Sequence, residues 1–492
     1  MKNIQKNRKN INGKICCLRS SCQKQQTYYD ENEGIVMLHA ENTLIVRYGE
    51  LSLKSRGVRD IYEETLRNNI RAMMDSRRVS YKDVRRDYGR IFVDAEEGAG
   101  NIGEIAESVS RVFGVFSVSP AAVCRSSKEE ITALCAEVAS SGYIGAGETF
   151  AVRARRAGNH PFTSNEMARF CGDAIWKALS EKGLEPAVDL TSPDKEIFVE
   201  IRQKESFVYT KIIKGPGGFP VGTQGKMVAL MSGGIDSPVA VWLMMKRGVD
   251  VVPVFMDNTP YADPDTISRV LDNARVLFSW APGRRHVVYS IPHAEYMEKV
   301  IENCHLKSRC LLCKRSMFKA ADGIRRRIKA SGIITGSSLG QVASQTSANM
   351  EAEIYGLSMP LYHPLFSYDK QEIVDIARMI GTYDISTRPS GPDCTIVPEK
   401  PEVKAAFDLA VREEALIGEE ILDEMIRKSV DDAVVYIFEK DGTIIRKGPE
   451  ERKNSEERKN NEERKNNEER KNSEERKNNE ERKNNEERKE EA

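Results

Sequence analysis

The sequence predicts a multidomain chain in which α+β units precede a parallel α/β sheet. Three observations predict it. Between residues 43 and 213, short β-branched runs alternate with amphipathic helical stretches. Gly215-Pro216-Gly217-Gly218 then reads as a linker. After it, strand, loop and helix recur in the order that builds a parallel sheet.

Taken in order, residues 43–48 (TLIVRY) read as a strand, Ile61–Met74 as an amphipathic helix and Arg90–Val93 as a strand. Ile102–Phe113 follows as a helix and leads to a strand through Val118. Residues 120–213 add helix 127–140, strand 149–153, helix 164–182 and strands 197–201 and 207–213. At about 150 residues per domain, a chain of this length holds about three domains. Lys+Arg and Asp+Glu both number 75. A globally basic nucleic-acid-coating protein is thereby excluded, whereas a local basic face is not. No apolar run reaches the ~18 residues of a membrane span, and the polar, basic N-terminus offers no signal peptide. Ten cysteines in so long a chain are too sparse for a disulfide scaffold. The expectation is a soluble, reduced, cytoplasmic protein without a membrane partner.

Two ends stand apart. Residues 1–36, with Cys16, Cys17 and Cys22, lack apolar periodicity and read as a disordered extension, with Met37 opening the folded part. From Glu451 a six-residue Glu/Arg/Lys/Asn unit repeats without a core-facing stripe. Residues 451–492 read as a solvated tail with no part in the chemistry.

The strongest local signal follows the linker. Residues 227–231 (MVALM) suit a buried parallel strand. Ser232-Gly233-Gly234-Ile235-Asp236-Ser237 comes next, and Pro238 opens a helix that ends at Gly248. Two glycines let backbone N–H groups converge at a helix N-terminus, where the dipole favours an anion. The serines add hydroxyl donors. Asp236 would be repelled by bare phosphate, so it is expected to hold Mg²⁺ or to order the loop. Ser-Gly-Gly-x-Asp-Ser between a strand and a capped helix marks a PP-loop, which grips the pyrophosphate of ATP. It is not a Walker A loop, for GxxxxGK[ST] is missing. Val249–Met256 reads as a second strand with its end toward adenine. Gly332–Gly336 reads as a later strand leading to Gln341–Gln345. Ligands in open α/β sheets sit at the carboxyl ends of strands, so Gly336 and the Gln341–Gln345 stretch belong near ATP. Lys314, opening a helix, would neutralise the α-phosphate.

Cys310 and Cys313 form a CxxC just before that helix, and Cys394 lies in a later loop. Three readings stay open: a three-thiolate iron–sulfur cluster with one open iron, a redox or persulfide site, and zinc with Cys304 or His305 nearby. Cys124, Cys135 and Cys171 read as small buried residues.

These motifs together resemble one family. Val46-Arg47-Tyr48-Gly49-Glu50-Leu51-Ser52-Leu53-Lys54, the SGGIDSPVA loop, Gly336–Thr346, Pro364-Leu365-Phe366, Asp369–Ile373 and the Cys394 loop with Pro401–Ala405 are similar to the tRNA 4-thiouridine synthetases (tRNA uridine 4-sulfurtransferases, ThiI) over residues 40–425. The resemblance implies a ferredoxin-like domain over 37–108, a THUMP RNA-binding domain over 109–213, a PP-loop ATP pyrophosphatase domain over 214–425 and a short segment over 426–450. It implies tRNA as partner. Arg153, Arg155, Arg156 and the group Arg77, Arg78, Arg85, Arg86 and Arg90 are candidates for its phosphates. It further implies adenylation of uridine 8 by ATP with Mg²⁺, then sulfur transfer giving 4-thiouridine. Leu230, Met231, Ser232, Gly233, Gly234, Asp236, Ser237, Phe255, Met256, Lys314, Gly336 and Gln345 would bind the nucleotide, and Cys394 would be catalytic with Cys310 and Cys313.

Two features depart from the commonest members. No rhodanese domain follows, its place being taken by 433–447 and the repeats. The CxxC is similar to the branch that holds a three-cysteine [4Fe-4S] cluster. Free sulfide or a donor protein is then the expected sulfur source, a link to thiamine thiazole is weakened, and a second copy of the chain is an expected partner. Two other classes compete. One is a PP-loop amide-forming ligase, which needs no cysteine trio. The other is a non-catalytic tRNA-binding protein, which releases no pyrophosphate.

Overall fold

The computed structural model describes residues 41–87, 89–391 and 394–451. The expectations for the N-terminal extension and for the repeats beyond Glu451 lie outside the described residues.

The first sheet is built from β1 (Glu41–Arg47), β2 (Asp83–Asp87), β3 (Arg90–Asp94), β4 (Ser117–Arg125), β5 (Thr149–Arg156), β6 (Ala187–Val188), β7 (Lys195–Ile201), β8 (Glu205–Tyr209) and β9 (Ile213–Lys214). Its order is β2-β3-β1-β4-β8-β7-β5-β6, with β9 on β4. Helices α1 (Arg56–Arg77), α2 (Ile102–Val109), α3 (Lys128–Val138) and α4 (Ser164–Glu181) cover it. Leu66, Ile70, Met73 and Met74 form the buried stripe of α1, the 3–4 spacing that an amphipathic helix requires. The α4 start is set by a capping box between Thr163 and Glu166. β4 pairs with β1 on one edge and β8 on the other, so the two expected N-terminal domains share one continuous sheet. Cys135 and Cys171 are fully buried in the α3/α4 core, and Cys124 packs against it.

Most arginines expected at RNA phosphates already have carboxylate partners. Arg77 meets Glu107, Arg85 meets Asp94 and Glu205, Arg86 meets Asp60 and Glu63, Arg90 meets Glu200 and Arg153 meets Glu196. Arg155 and Arg156 are exposed beyond them.

The second half follows with β10 (Lys226–Leu230), α5 (Asp236–Lys246), β11 (Asp250–Asp257), α6 (Thr266–Phe278), β12 (His286–Pro292), α7 (Ala294–Asn303), α8 (Arg309–Arg327), β13 (Ile333–Ile334), α9 (Ser347–Ile354), β14 (Leu361–Tyr362), α10 (Lys370–Ile380), α11 (Tyr383–Ser386), α12 (Leu409–Ile417), α13 (Glu419–Asp431), β15 (Val434–Phe438) and β16 (Ile444–Lys447). The sheet order is β14-β13-β10-β11-β12-β15-β16. β10 to β14 are parallel, and β15 and β16 add an antiparallel edge. Both faces are covered, one by α5, α6 and α10 and the other by α7, α8 and α13. That double burial explains why the strands read as continuous apolar runs.

The short segment over 426–450 is built into the second sheet. α13 runs through residue 425, and Val435, Ile437 and Phe438 of β15 are buried against the sheet. The continuous apolar run 434–438 (VVYIF) serves a strand that pairs with β12.

The chain enters this sheet at β10, moves to β11 and β12, then returns to β13 on the other side of β10. The order reverses between β10 and β13, which opens a crevice at their carboxyl ends.

Candidate active site

Every residue proposed from the sequence to carry the chemistry lines one cavity at that crevice. β10 brings Leu230 and Met231, the following loop brings Ser232, Gly233, Gly234, Asp236 and Ser237, and β11 brings Phe255 and Met256. Lys314, Gly336 and Gln345 reach it from α8 and from the stretch after β13. Cys310, Cys313 and Cys394 border the same space.

The loop is closed by its own side chains. Ser232 N donates to Ser237 Oγ at 2.9 Å, and Gly234 N donates to Ser232 Oγ at 3.3 Å. The serine hydroxyls thus tie the turn, beyond the expected role of facing a phosphate. From behind, Ser386 Oγ donates to Gly234 O at 3.2 Å and accepts from Asn273 Nδ2 at 3.0 Å. Gly336 is required by close approach, because a Cβ there would stand 2.8 Å from both Ser237 N and Ser237 Cα. Asp236 opens α5, and its Oδ1 accepts from Lys370 Nζ at 2.6 Å. Lys370 is the first residue of α10, whose start is fixed by the Asp369–Glu372 capping box.

The CxxC lies within α8 and not before it. Leu311 and Leu312 are 2% and 0% exposed, so the pair between the cysteines anchors the first turn in the core. Cys310, Cys313, Lys314 and Met317 then fall at i, i+3, i+4 and i+7, one helical face, and all four line the cavity. Burial pushes the Cys313 thiol far up, with Cys394 and Cys310 adding to it. Burial likewise raises Cys310, with Cys394 contributing. Among the described residues no three His, Cys, Asp or Glu side chains are grouped to hold a metal ion. Cys304 and His305, the expected extra zinc ligands, turn elsewhere: Cys304 Sγ donates to Glu413 O at 3.6 Å, and His305 Nδ1 accepts from Lys307 N at 3.3 Å.

Lys314 Nζ lies 3.5 Å from Glu353 Oε2 and donates to Ser344 O at 3.4 Å. The Glu353 side chain is 1% exposed, and burial pushes its carboxyl up to about 8. Gln345 Oε1 accepts from Ser338 N at 3.3 Å.

Sequence reading missed Asn258 and Thr335, which also line the cavity, while of the expected 341–345 stretch Ser344 and Gln345 reach it and Gln341, Val342 and Ala343 do not. Asn258 and Thr335 lie next to or one beyond strand carboxyl ends, where that rule would have found them. It also missed Lys370, Glu353 and the buried His293, whose roles depend on distant partners.

Family models match three stretches: the ThiI ferredoxin-like domain over residues 43–119, the THUMP domain over 125–211 and the thiamine biosynthesis protein ThiI over 222–417. A protein of Methanosarcina acetivorans named "Probable tRNA sulfurtransferase" is 55% identical over 381 residues, 77% of this chain and 91% of that one. One of the same name from Methanobrevibacter smithii is 41% identical over 374 residues, 75% and 93% of the two chains. Among solved structures, a 4-thiouridine synthetase–RNA complex with bound ATP is 30% identical with a TM-score of 0.70, covering 81% of this chain and 100% of that one. On identity and coverage together, the chain belongs to the ThiI family of tRNA sulfurtransferases.

Proposed function

We propose that this chain is an ATP-dependent tRNA sulfurtransferase that makes 4-thiouridine at position 8 through an adenylated uridine. The observation that carries the reading is that the phosphate loop and three thiols open onto one cavity. Activation and sulfur delivery then reach the same carbon without transfer between sites.

In the first step uridine O4 attacks the α-phosphorus of ATP, the bond to the β-phosphate oxygen breaks and pyrophosphate leaves. The loop amides and the α5 N-terminus hold the departing pyrophosphate. Asp236 would hold Mg²⁺, Lys314 would meet the α-phosphate, and Phe255 and Met256 would flank adenine. In the second step sulfide adds to C4, the C4–O4 bond breaks and O4 departs in AMP. Cys310, Cys313 and Cys394 are the thiolates that would hold a three-thiolate iron–sulfur cluster; they border one cavity but do not stand grouped for a metal among the described residues, so they would have to draw together to do so. When bound, such a cluster offers an iron open to sulfide. The part over 37–213 would hold tRNA, as a ferredoxin-like domain over 37–108 and a THUMP domain over 109–213, with Arg155 and Arg156 on its exposed side.

Cys394→Ala tests the reading. It should still release pyrophosphate with ATP and tRNA while forming no 4-thiouridine. A variant that thiolates at the wild-type rate would overturn it, and an amide-forming ligase would be indifferent to the change. Anaerobic iron analysis separates the sulfur routes: about four irons per chain are expected for the cluster, while iron-free protein that still thiolates would assign the trio to persulfide chemistry.

A further inference from the structure

Two neighbouring residues of α8, Lys314 and Arg315, reach one residue of α9. Arg315 Nη1 donates to Glu353 O at 3.1 Å and to Tyr355 O at 2.6 Å. Arg315 is 3% exposed, and its Nε donates to Glu414 Oε2 at 2.9 Å. Toward the start of α9, Asn349 Nδ2 donates to Ala343 O at 2.8 Å and to Glu402 O at 2.6 Å, while its Oδ1 accepts from Ala405 N at 3.0 Å. The α9 backbone is thus pinned at both ends without help from Lys314.

That backbone decides where the Glu353 side chain goes. Oε2 lies 3.5 Å from Lys314 Nζ, and Oε1 is buried with no hydrogen-bond partner among the described residues. Taking a carboxyl out of water with so few partners lowers stability. An apolar residue of similar size would fill the space without that cost. The fold therefore gives no reason for a glutamate here, whereas its contact with Lys314 does. Lys314 lines the cavity, and its ammonium stands on a flexible four-carbon stem. Nζ also donates to Ser344 O at 3.4 Å, next to Gln345 in the cavity wall. Two acceptors on fixed backbone hold the ammonium before any nucleotide arrives. Burial pushes the Glu353 carboxyl up to about 8, so near neutral pH it is mostly the uncharged acid. An uncharged acceptor orients an ammonium without cancelling its charge.

We propose that Glu353 is a positioning residue for adenylation: it holds the Lys314 ammonium at the cavity wall where the α-phosphate of ATP comes to lie. The inference rests on the role of Lys314 in the function proposed above. Glu353 does not itself line the cavity, so it acts through the lysine. Charge shifts around the α-phosphorus as the bond to pyrophosphate breaks, and a donor already in place stabilises it without reorganisation.

The test is steady-state pyrophosphate release by the full-length protein with ATP and tRNA. Glu353→Met removes the acceptor and fills its space. It should lower kcat by about tenfold or more, the scale of a misplaced group, and leave KM for ATP unchanged. Its melting temperature should hold, because a buried oxygen without a partner goes with the carboxyl. Glu353→Gln keeps an acceptor oxygen and should restore most of kcat. The double variant Lys314→Met with Glu353→Met should be no slower than Lys314→Met alone, since the two act as one unit. Wild-type kcat in Glu353→Met would overturn the inference. Losses that multiply in the double variant, a glutamine variant as slow as the methionine one, or a fall in kcat that tracks a fall in melting temperature would each overturn it too. Wild-type release by Lys314→Met would instead remove Lys314 from the proposed function, and this inference with it.

Discussion

Lys370 Nζ stands 2.6 Å from Asp236 Oδ1, joining the first residue of α10 to the first residue of α5 across 134 positions of sequence. The phosphate loop therefore carries a neutralised acid. Lys370 offsets the charge of an acid that stands in a loop built for anions.

Asp236→Ala should remove pyrophosphate release in the presence of tRNA, by about 100-fold or more if it anchors the metal that stabilises transition-state charge. Lys370 is half exposed, so Lys370→Ala should change stability by no more than about 1 kcal/mol. Pyrophosphate assays and thermal melts of the two variants check both; wild-type release by Asp236→Ala sinks its role.

Gly336→Ala should weaken both nucleotide binding and the fold. The added methyl meets the Ser237 backbone at 2.8 Å, and backbone in a helix start cannot swing aside as a long side chain can. Overpacking of this kind costs about 1–3 kcal/mol. Calorimetric titration of ATP and the melting temperature report it.

Stability should carry a His293 signature in acid. The folded imidazole is held down to about 4 from 6.5, so the unfolded chain takes up its proton first. The contribution, about 3 kcal/mol at most, is fully present above about pH 6.5 and is lost as pH falls toward 4. Glu353 acts with the opposite sign: raised from 4.5 to about 8, its contribution is present below 4.5 and lost as pH rises through 8. Denaturant midpoints of wild type and His293→Asn at pH 7, 5.5 and 4.5 isolate the histidine as the difference between the two slopes.

A chain stopped after Asp432 should fail to fold as the full protein does. It loses β15 and β16 and uncovers β12, which pairs with β15 from His286 to Ser290. Val435, Ile437 and Phe438 leave the core with them. A chain stopped after Glu451 keeps both strands and is the control. Solubility and circular dichroism of the two distinguish a structural edge from an appendage.

Much of the site was legible because its signals are local. A glycine pair with Asp236 and Ser237 between a strand and a helix states its anion chemistry within six residues. Gly336 and Gln345 were found by the rule that ligands gather at strand carboxyl ends. Other features were misjudged where tertiary burial decides. The CxxC was placed outside its helix, because only packing shows that Leu311 and Leu312 bury and pull the cysteines into its first turns. The arginines around 85–90 looked available for RNA until folding brought Glu63, Asp94 and Glu200 to them.

By itself the sequence determined the element types, the phosphate loop, the cysteine trio and the family, since each rests on residues near one another along the chain. Tertiary structure decided the pairings: Lys370 with Asp236, Glu353 with Lys314, His293 with Asn258, and strand β15 with β12. Those contacts join residues far apart in the chain, and a short-range pattern cannot encode which distant partner a charge or amide will meet.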